Sequence, residues 1–205
     1  MCGQEDLRIT AKRAAYTMAR LFDKGRGFVP VADKEHHRNV LAIDTMMNLP
    51  LLWWAGAAAD LDEATGIAMA HVAATEKHLV RDDGSTAHIA KIGADGQLLK
   101  RESWQGEGED TCWSRGQAWA ISGAAYALFF SGEKRHADLL DRLLKYYVDN
   151  CPEDGVPYWD FDAADIPDTQ RDSSAAAIVA HALMLRDGLA VLRTADAILQ
   201  EEIRK

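Results

Sequence analysis

Gly116-Gln117-Ala118-Trp119-Ala120-Ile121-Ser122-Gly123-Ala124-Ala125-Tyr126-Ala127-Leu128-Phe129-Phe130-Ser131 runs without a single Asp, Glu, Lys or Arg, and the segment after it, 133–150, carries Lys134, Arg135, Asp138, Asp141, Arg142 and Lys145. Both have the periodicity of helices. A helix apolar all round must be enclosed, whereas a charged one with a single apolar stripe lies with one side in water. The pair therefore reads as an inner and an outer helix joined in a hairpin.

The same contrast repeats in both directions along the chain. Upstream, 43–59 is uncharged from Thr45 to Ala59 and includes Met46, Met47, Leu49, Leu51, Leu52, Trp53 and Trp54; Pro50 should kink it or occupy its first turns. The next segment, 62–79, reads as amphipathic, with Asp62, Glu63, Glu76 and Lys77. Downstream, 172–187 has no charge between Ser173 and Leu185, and 189–204 is amphipathic again. A first helix, 6–24, places Leu7, Ala11, Ala14, Ala15, Met18, Leu21 and Phe22 on one stripe. Alternating enclosed and half-exposed helices predict an all-α fold, a partial (α/α)6 toroid or barrel of helical hairpins. Residues 1–205 form a single catalytic-type domain on this reading. Seven helices make an odd, open arc, so the expectation is a piece of a larger ring lacking N-terminal and C-terminal parts. Its cut edges would offer apolar surface for self-association.

Two long connections interrupt the pattern. Around 80–110, the turn signals Asp82-Asp83-Gly84 and Ala94-Asp95-Gly96 flank His88-Ile89-Ala90-Lys91-Ile92, which predicts a small β-hairpin or ordered loop. The other, 151–171, is rich in Pro, Asp and aromatic residues. Connections of this length in a helical domain usually carry function.

Composition sets outer limits. The chain of 205 residues is 48% hydrophobic and 27% charged, ordinary for a globular domain. A formal net charge of −9 argues against nucleic-acid or anionic-membrane binding, which needs a cationic face. Cys2, Cys112 and Cys151 are odd in number and widely spaced, so reduced thiols and no structural zinc are expected. No ligand cluster or phosphate loop is visible, and no metal or organic cofactor is implied. Met1-Cys2-Gly3-Gln4-Glu5-Asp6 lacks the cationic and apolar regions of a signal peptide, which points to the cytoplasm.

Polar residues gather at the N-terminal ends of the uncharged helices: Asp44 at the first, Asp110, Thr111, Trp113 and Arg115 at the second, Arg171, Asp172, Ser173 and Ser174 at the third. If the inner helices run parallel, these clusters meet at one mouth of the ring. Their unpaired N–H groups would then suit an anion such as a carboxylate. Trp53, Trp54, Trp104, Trp113, Trp119 and Trp159 include candidates to stack on sugar rings. Simpler roles are open at each position. Asp44 and Asp172 suit N-caps, His88 a surface strand, Trp53 and Trp54 the core, and Asp160 and Asp162 turns. Arg115 in an uncharged helix demands a partner.

Four stretches carry a resemblance: Ile43-Asp44-Thr45-Met46-Met47-Asn48-Leu49-Pro50-Leu51-Leu52, Cys112-Trp113-Ser114-Arg115-Gly116-Gln117-Ala118-Trp119, Val156-Pro157-Tyr158-Trp159-Asp160-Phe161-Asp162 and Arg171-Asp172-Ser173-Ser174-Ala175-Ala176-Ala177. In this order they resemble the unsaturated glucuronyl hydrolases, family 88 of the glycoside hydrolases, across essentially the whole chain. The resemblance implies a six-hairpin α/α barrel about twice as long. Its substrate is an oligosaccharide from a polysaccharide lyase that ends in a 4,5-unsaturated uronic acid. It also implies that Asp44 is the general acid/base, with a carboxyl raised by burial or a neighbouring carboxylate. His88, Gln105 and Arg115 match substrate-contacting positions, and Trp119 a ring-stacking one. Trp104-Gln105-Gly106-Glu107 departs from the family's usual His-Gln-Gly-aromatic, and Phe28-Val29-Pro30-Val31-Ala32-Asp33 lacks a Trp that relatives often have. Unsaturated rhamnogalacturonyl hydrolases are a neighbouring alternative; they tend to read Asn-Gly where this chain has Gln117-Ala118. An inactive sugar-binding or interaction remnant is another.

Overall fold

The computed structural model describes residues 4–32 and 37–203, with side chains up to Gly188. Cys2 and Asp33 lie outside the described residues. Helices dominate: α1 (Gln4–Leu21), α2 (Leu49–Ala58), α3 (Ala64–His78), α4 (Ser114–Ser131), α5 (Lys134–Asn150) and α6 (Ser173–Ile203). Three short strands, β1 (Val40–Ala42), β2 (Ile89–Ile92) and β3 (Leu98–Glu102), form one antiparallel sheet in the order β1-β2-β3.

Four expectations are corrected. The segments 172–187 and 189–204 are one continuous helix, α6, because Gly188 costs a helix only about 1 kcal/mol and no proline follows it. The described residues thus hold six α-helices, and the odd count of seven falls away. The segment 43–59 splits into a 3-10 turn (Ile43–Asn48) and α2, with Pro50 in the first turn of α2, where its missing N–H has no acceptor to lose. The sheet has a third strand, β1, which sequence reasoning missed. Finally, α3 is not simply an outer amphipathic helix. It buries Ile67, Ala68, His71, Val72, Ala74, Thr75 and His78, because the loop at Val29 and strand β3 cover its second face: Val29 N–H donates to His71 Nδ1 at 3.1 Å and Arg101 Nε to the His78 carbonyl at 3.0 Å.

Elsewhere the burial follows the charge pattern. Beyond Arg115, α4 carries no charge and is enclosed from Gly116 through Ala125 except at Trp119, which is half-buried. It ends at Gly132, whose φ of +67° is the left-handed C-cap that glycine adopts without penalty. Charged α5 buries His136, Leu139, Leu140, Leu143, Leu144 and Tyr147, one stripe at helical spacing. The stripe of α1 is narrower than its sequence implied: Ala15 and Ala19 are buried, while Leu7 is 59% exposed. Helix α4 packs against α5, α6, α2 and the 3-10 turn, so it is the hub of the core.

Two buried features lock α4 in place. Gln117 is fully buried, and its amide donates to the carbonyls of Gly84 at 2.9 Å and Leu143 at 3.0 Å. At Gly123, a Cβ would lie 2.9 Å from Met46 Cβ, so only glycine lets the 3-10 turn approach this closely.

His71 gives the fold a pH dependence. It is completely buried, and burial pulls its pKa down to about 3. Below about pH 6.5 the unfolded chain takes up a proton at this position that the folded chain refuses until about pH 3. Stability should therefore be fully present above about pH 6.5 and fall on acidification by up to ~1.4 kcal/mol per pH unit from this group. Urea unfolding of His71→Asn, which keeps an acceptor for Val29, should show a shallower slope across that window.

Candidate active site

Asp44 is positioned by strand pairing. Strand β1 pairs with β2 as Val40↔Lys91, Leu41↔Ala90 and Ala42↔Ile89, and the next rung is the Ile43 N–H donating to the His88 carbonyl at 3.0 Å. Asp44 follows at once, so its carboxylate emerges beside the His88 imidazole. Strand β2 pairs with β3 with Ile89 opposite Glu102, which brings the segment just after β3, Ser103 to Glu107, back over His88. The site is thus assembled from the C-terminal end of β1, the residue before β2 and the loop after β3.

The contacts are specific. His88 Nε2 lies 3.2 Å from Asp44 Oδ2, and the Gln105 side-chain amide donates to Asp44 Oδ1 at 3.2 Å. On the other side of the ring, Nδ1 accepts the backbone N–H groups of Trp104 at 3.0 Å and Gln105 at 3.1 Å. The His88 side chain is 2% exposed, against 35% for Asp44. His88 is therefore a buried wall of the site and not a surface strand residue. Its faces meet Trp113, with ring centroids 4.9 Å apart, and the edge of Trp104.

Trp113 links this wall to the second charged group. Gly116 admits the indole: a Cβ there would sit 2.9 Å from Trp113 Cε3. On Trp113 lies the Arg115 guanidinium, 4.9 Å from the ring centroid. Arg115 Nη1 reaches Asp172 Oδ2 at 3.0 Å and Ser174 Oγ at 3.1 Å, the partner its sequence position demanded. Asp172 is also the cap of α6, since its Oδ1 accepts the Ala175 N–H at 3.0 Å. Capping and ion pairing coexist in one side chain.

The 157–161 segment joins these helix starts. Ser114 N–H donates to the Trp159 carbonyl, Phe161 N–H to Cys112, Trp159 N–H to Gln170 and Asp172 N–H to Pro157. Fully buried Asp160 pins the Gln105 loop, accepting from Glu107 N–H at 2.9 Å and Thr111 Oγ1 at 2.8 Å. An open cleft of about 530 Å³ results, lined in part by Gln105, Trp113, Arg115, Trp159 and Arg171.

Four of the five candidate residues converge: Asp44, His88, Gln105 and, across Trp113, Arg115. Trp119 stands apart from these contacts, one helical turn beyond Arg115 on the same face of α4, half-buried against the core. Arg171 lines the cleft but is held by Asp154 and the Val156 carbonyl. Trp104, among the tryptophans considered for stacking, is 49% exposed beside His88, and Asp160, which the sequence suited to a turn, is a fully buried anchor.

One electrostatic expectation reverses. Burial pushes the Asp44 carboxyl up, but the hydrogen bond from His88, aided by the Gln105 amide, outweighs it and holds the group below the usual carboxylate value. Asp44 rests as a carboxylate at neutral pH.

The likenesses agree with this architecture. No protein-family model matches the chain. An unsaturated glucuronyl hydrolase of Bacillus sp. (strain GL1) is 36% identical over 188 residues, covering 88% of this chain and 49% of its own length. One from Formosa agariphila is 38% identical over 144 residues, covering 69% of this chain and 36% of its own. The crystal structure of the Bacillus sp. GL1 enzyme superposes with a TM-score of 0.81 at 34% identity, covering 89% of this chain and 50% of that one. Fold and site together define an α/α-barrel glycoside-hydrolase type of protein. Within that class the chain belongs to the unsaturated glucuronyl hydrolases, family 88, and spans about half the length of the curated relatives it matches. Gln117 and Ala118 are both fully buried.

Gly106 is the tightest point of the loop. A Cβ there would lie 2.8 Å from Ser103 Oγ, 2.9 Å from Asp160 Oδ2 and 3.1 Å from Trp113 Cβ. Gly106→Ala should cost about 1–3 kcal/mol in urea unfolding. It should also speed amide exchange at Trp104 and Gln105 as their bonds to His88 are lost.

Proposed function

We propose that the chain carries the catalytic acid/base and part of the substrate cleft of a glycoside hydrolase that releases a terminal 4,5-unsaturated uronic acid from polysaccharide-lyase oligosaccharides. The observation that carries this reading is Asp44. It is hydrogen-bonded through both oxygens yet one-third exposed, and Gln105, which donates to it, lines the cleft together with Arg115 and Arg171. The matched Bacillus enzyme is described as responsible for the degradation of glycosaminoglycan, which supports the substrate class.

The substrate's C4=C5 bond is a vinyl ether. Asp44, once protonated, gives its proton to C4 while the π electrons form the new C–H bond, and the ring oxygen stabilises the cation left at C5. The Asp44 carboxylate then takes a proton from water as the water oxygen bonds to C5, which restores the acid. The resulting hemiketal opens and expels the remaining sugar. Arg115 offers its guanidinium to the uronic carboxylate; among the described residues, only its Nη1 is engaged by hydrogen bonds. Gln105 contacts the sugar from the same side as Asp44, and Trp119 serves as a stacking surface deeper along α4. The unpaired thiols of Cys112 and Cys151 support a reducing, cytoplasmic setting. Among the described residues, no helix is long and apolar enough to cross a membrane. Exposed Phe130, Val148 and Met184 support self-association, which sedimentation would read.

Incubating the protein with unsaturated disaccharides from chondroitin, hyaluronan and heparin lyases should bleach the ultraviolet absorbance of the C4=C5 bond. Asp44→Asn should lower kcat by about 10²–10⁴-fold with the fold intact by circular dichroism. Binding without bleaching would instead favour a sugar-binding remnant, and bleaching confined to pectin-derived substrates would favour the rhamnogalacturonyl reading.

The pH profile should have a definite shape. Free Asp44 is held low, so kcat/KM should decline from low pH upward as the acid form disappears. Bound substrate excludes water and brings its own carboxylate close, and both raise the carboxyl. The descending limb of kcat should therefore lie at higher pH than that of kcat/KM.

A further inference from the structure

We propose that His88 is a positioning residue locked in one neutral tautomer, which clamps Asp44 through Nε2–H while its Nδ1 anchors the Trp104-Gln105 loop. This rests on the reading of Asp44 as the reacting carboxyl, but its geometry stands independently. Turning the ring over would direct carbon atoms at Asp44 and at two backbone amides, so the three contacts determine its orientation. Two N–H groups, of Trp104 at 3.0 Å and Gln105 at 3.1 Å, converge on Nδ1. A proton there would face two donors and break both bonds. The single ring proton is left on Nε2, 3.2 Å from Asp44 Oδ2.

Gln105 closes the circuit. Its backbone donates to His88 and its side chain donates to Asp44 Oδ1 at 3.2 Å. Each carboxylate oxygen thus receives one side-chain donor, which fixes the plane of the carboxylate. The other groups around the ring do not compete for its proton. Trp113 covers one face and places Arg115 on its far side, and Trp104 stands at the edge with His37 beyond it. Asp44 is the titratable group in direct contact. The His88 side chain itself is only 2% exposed. In this arrangement it acts on the reaction through Asp44 and through the loop that carries Gln105.

Two substitutions separate the two halves of the clamp. The side-chain oxygen of His88→Asn can replace Nδ1 as the loop's acceptor, but nothing replaces the donor to Asp44. The amide nitrogen of His88→Gln can replace Nε2, but the loop loses its acceptor. In the full chain with ¹⁵N-labelled histidine, the neutral His88 ring should show a bare Nδ1 and a protonated Nε2. With ¹³C-labelled aspartate, the Asp44 titration midpoint should move up by about one unit, tenfold in proton affinity, in His88→Asn and by less in His88→Gln. Amide exchange at Trp104 and Gln105 should accelerate in His88→Gln and not in His88→Asn. A neutral wild-type His88 ring protonated on Nδ1 would overturn the proposal, and so would equal Asp44 midpoints in all three proteins. None of these readouts needs turnover. Catalysis failing with the clamp present would count against the proposed function alone, and an Asp44-dependent enzyme without the clamp would count against this inference alone.

Discussion

The hydrogen bond from the Ile43 N–H to the His88 carbonyl, 3.0 Å long, is the last rung of the β1–β2 ladder, and the site depends on it. A strand register is unforgiving: a slip of one residue turns every side chain to the opposite face. With Val40 opposite Lys91 and Ala42 opposite Ile89, the chain leaves the sheet at a point where Asp44 can only emerge beside His88. The same logic runs through β2 and β3 and returns Gln105 to the same spot. Twelve strand residues in a mostly helical molecule thereby hold three side chains to within hydrogen-bonding distance.

Around this jig the helices supply enclosure and charge. Gly116 and Gly123, one face of α4, allow Trp113 and Met46 to approach closely, and so press the 3-10 turn bearing Asp44 onto the hub helix. The starts of α4 and α6 are cross-linked by the Arg115–Asp172 pair at 3.0 Å. That pair is partly exposed, so its value lies in geometry more than in stability. It keeps a guanidinium at the cleft without leaving a lone charge against the ring of Trp113.

Asp44 illustrates how local chemistry can reverse an expectation drawn from burial. Removal from water disfavours a carboxylate, but two donors aimed at its oxygens favour it more. In the proposed reaction, the charge of a bound uronic carboxylate would push the group back up, so the tuning would be divided between protein and ligand.

The amino-acid sequence alone determined the helical hairpins, because the presence or absence of charge along a helix decides directly which faces can meet water. It determined a turn-flanked strand around His88 and the gathering of Asp44, Arg115 and Asp172 at helix starts, and its motifs pointed to the family. It misjudged the break at Gly188, since a single glycine is a weak terminator against the packing of a long helix. It missed β1, three residues too few for any alternation to show. Only the tertiary structure decided the direction of the Asp44 shift, the burial of His88 and the structural role of Gln117. These depend on partners 16 to 61 residues distant, brought together by register and close packing that no local pattern records.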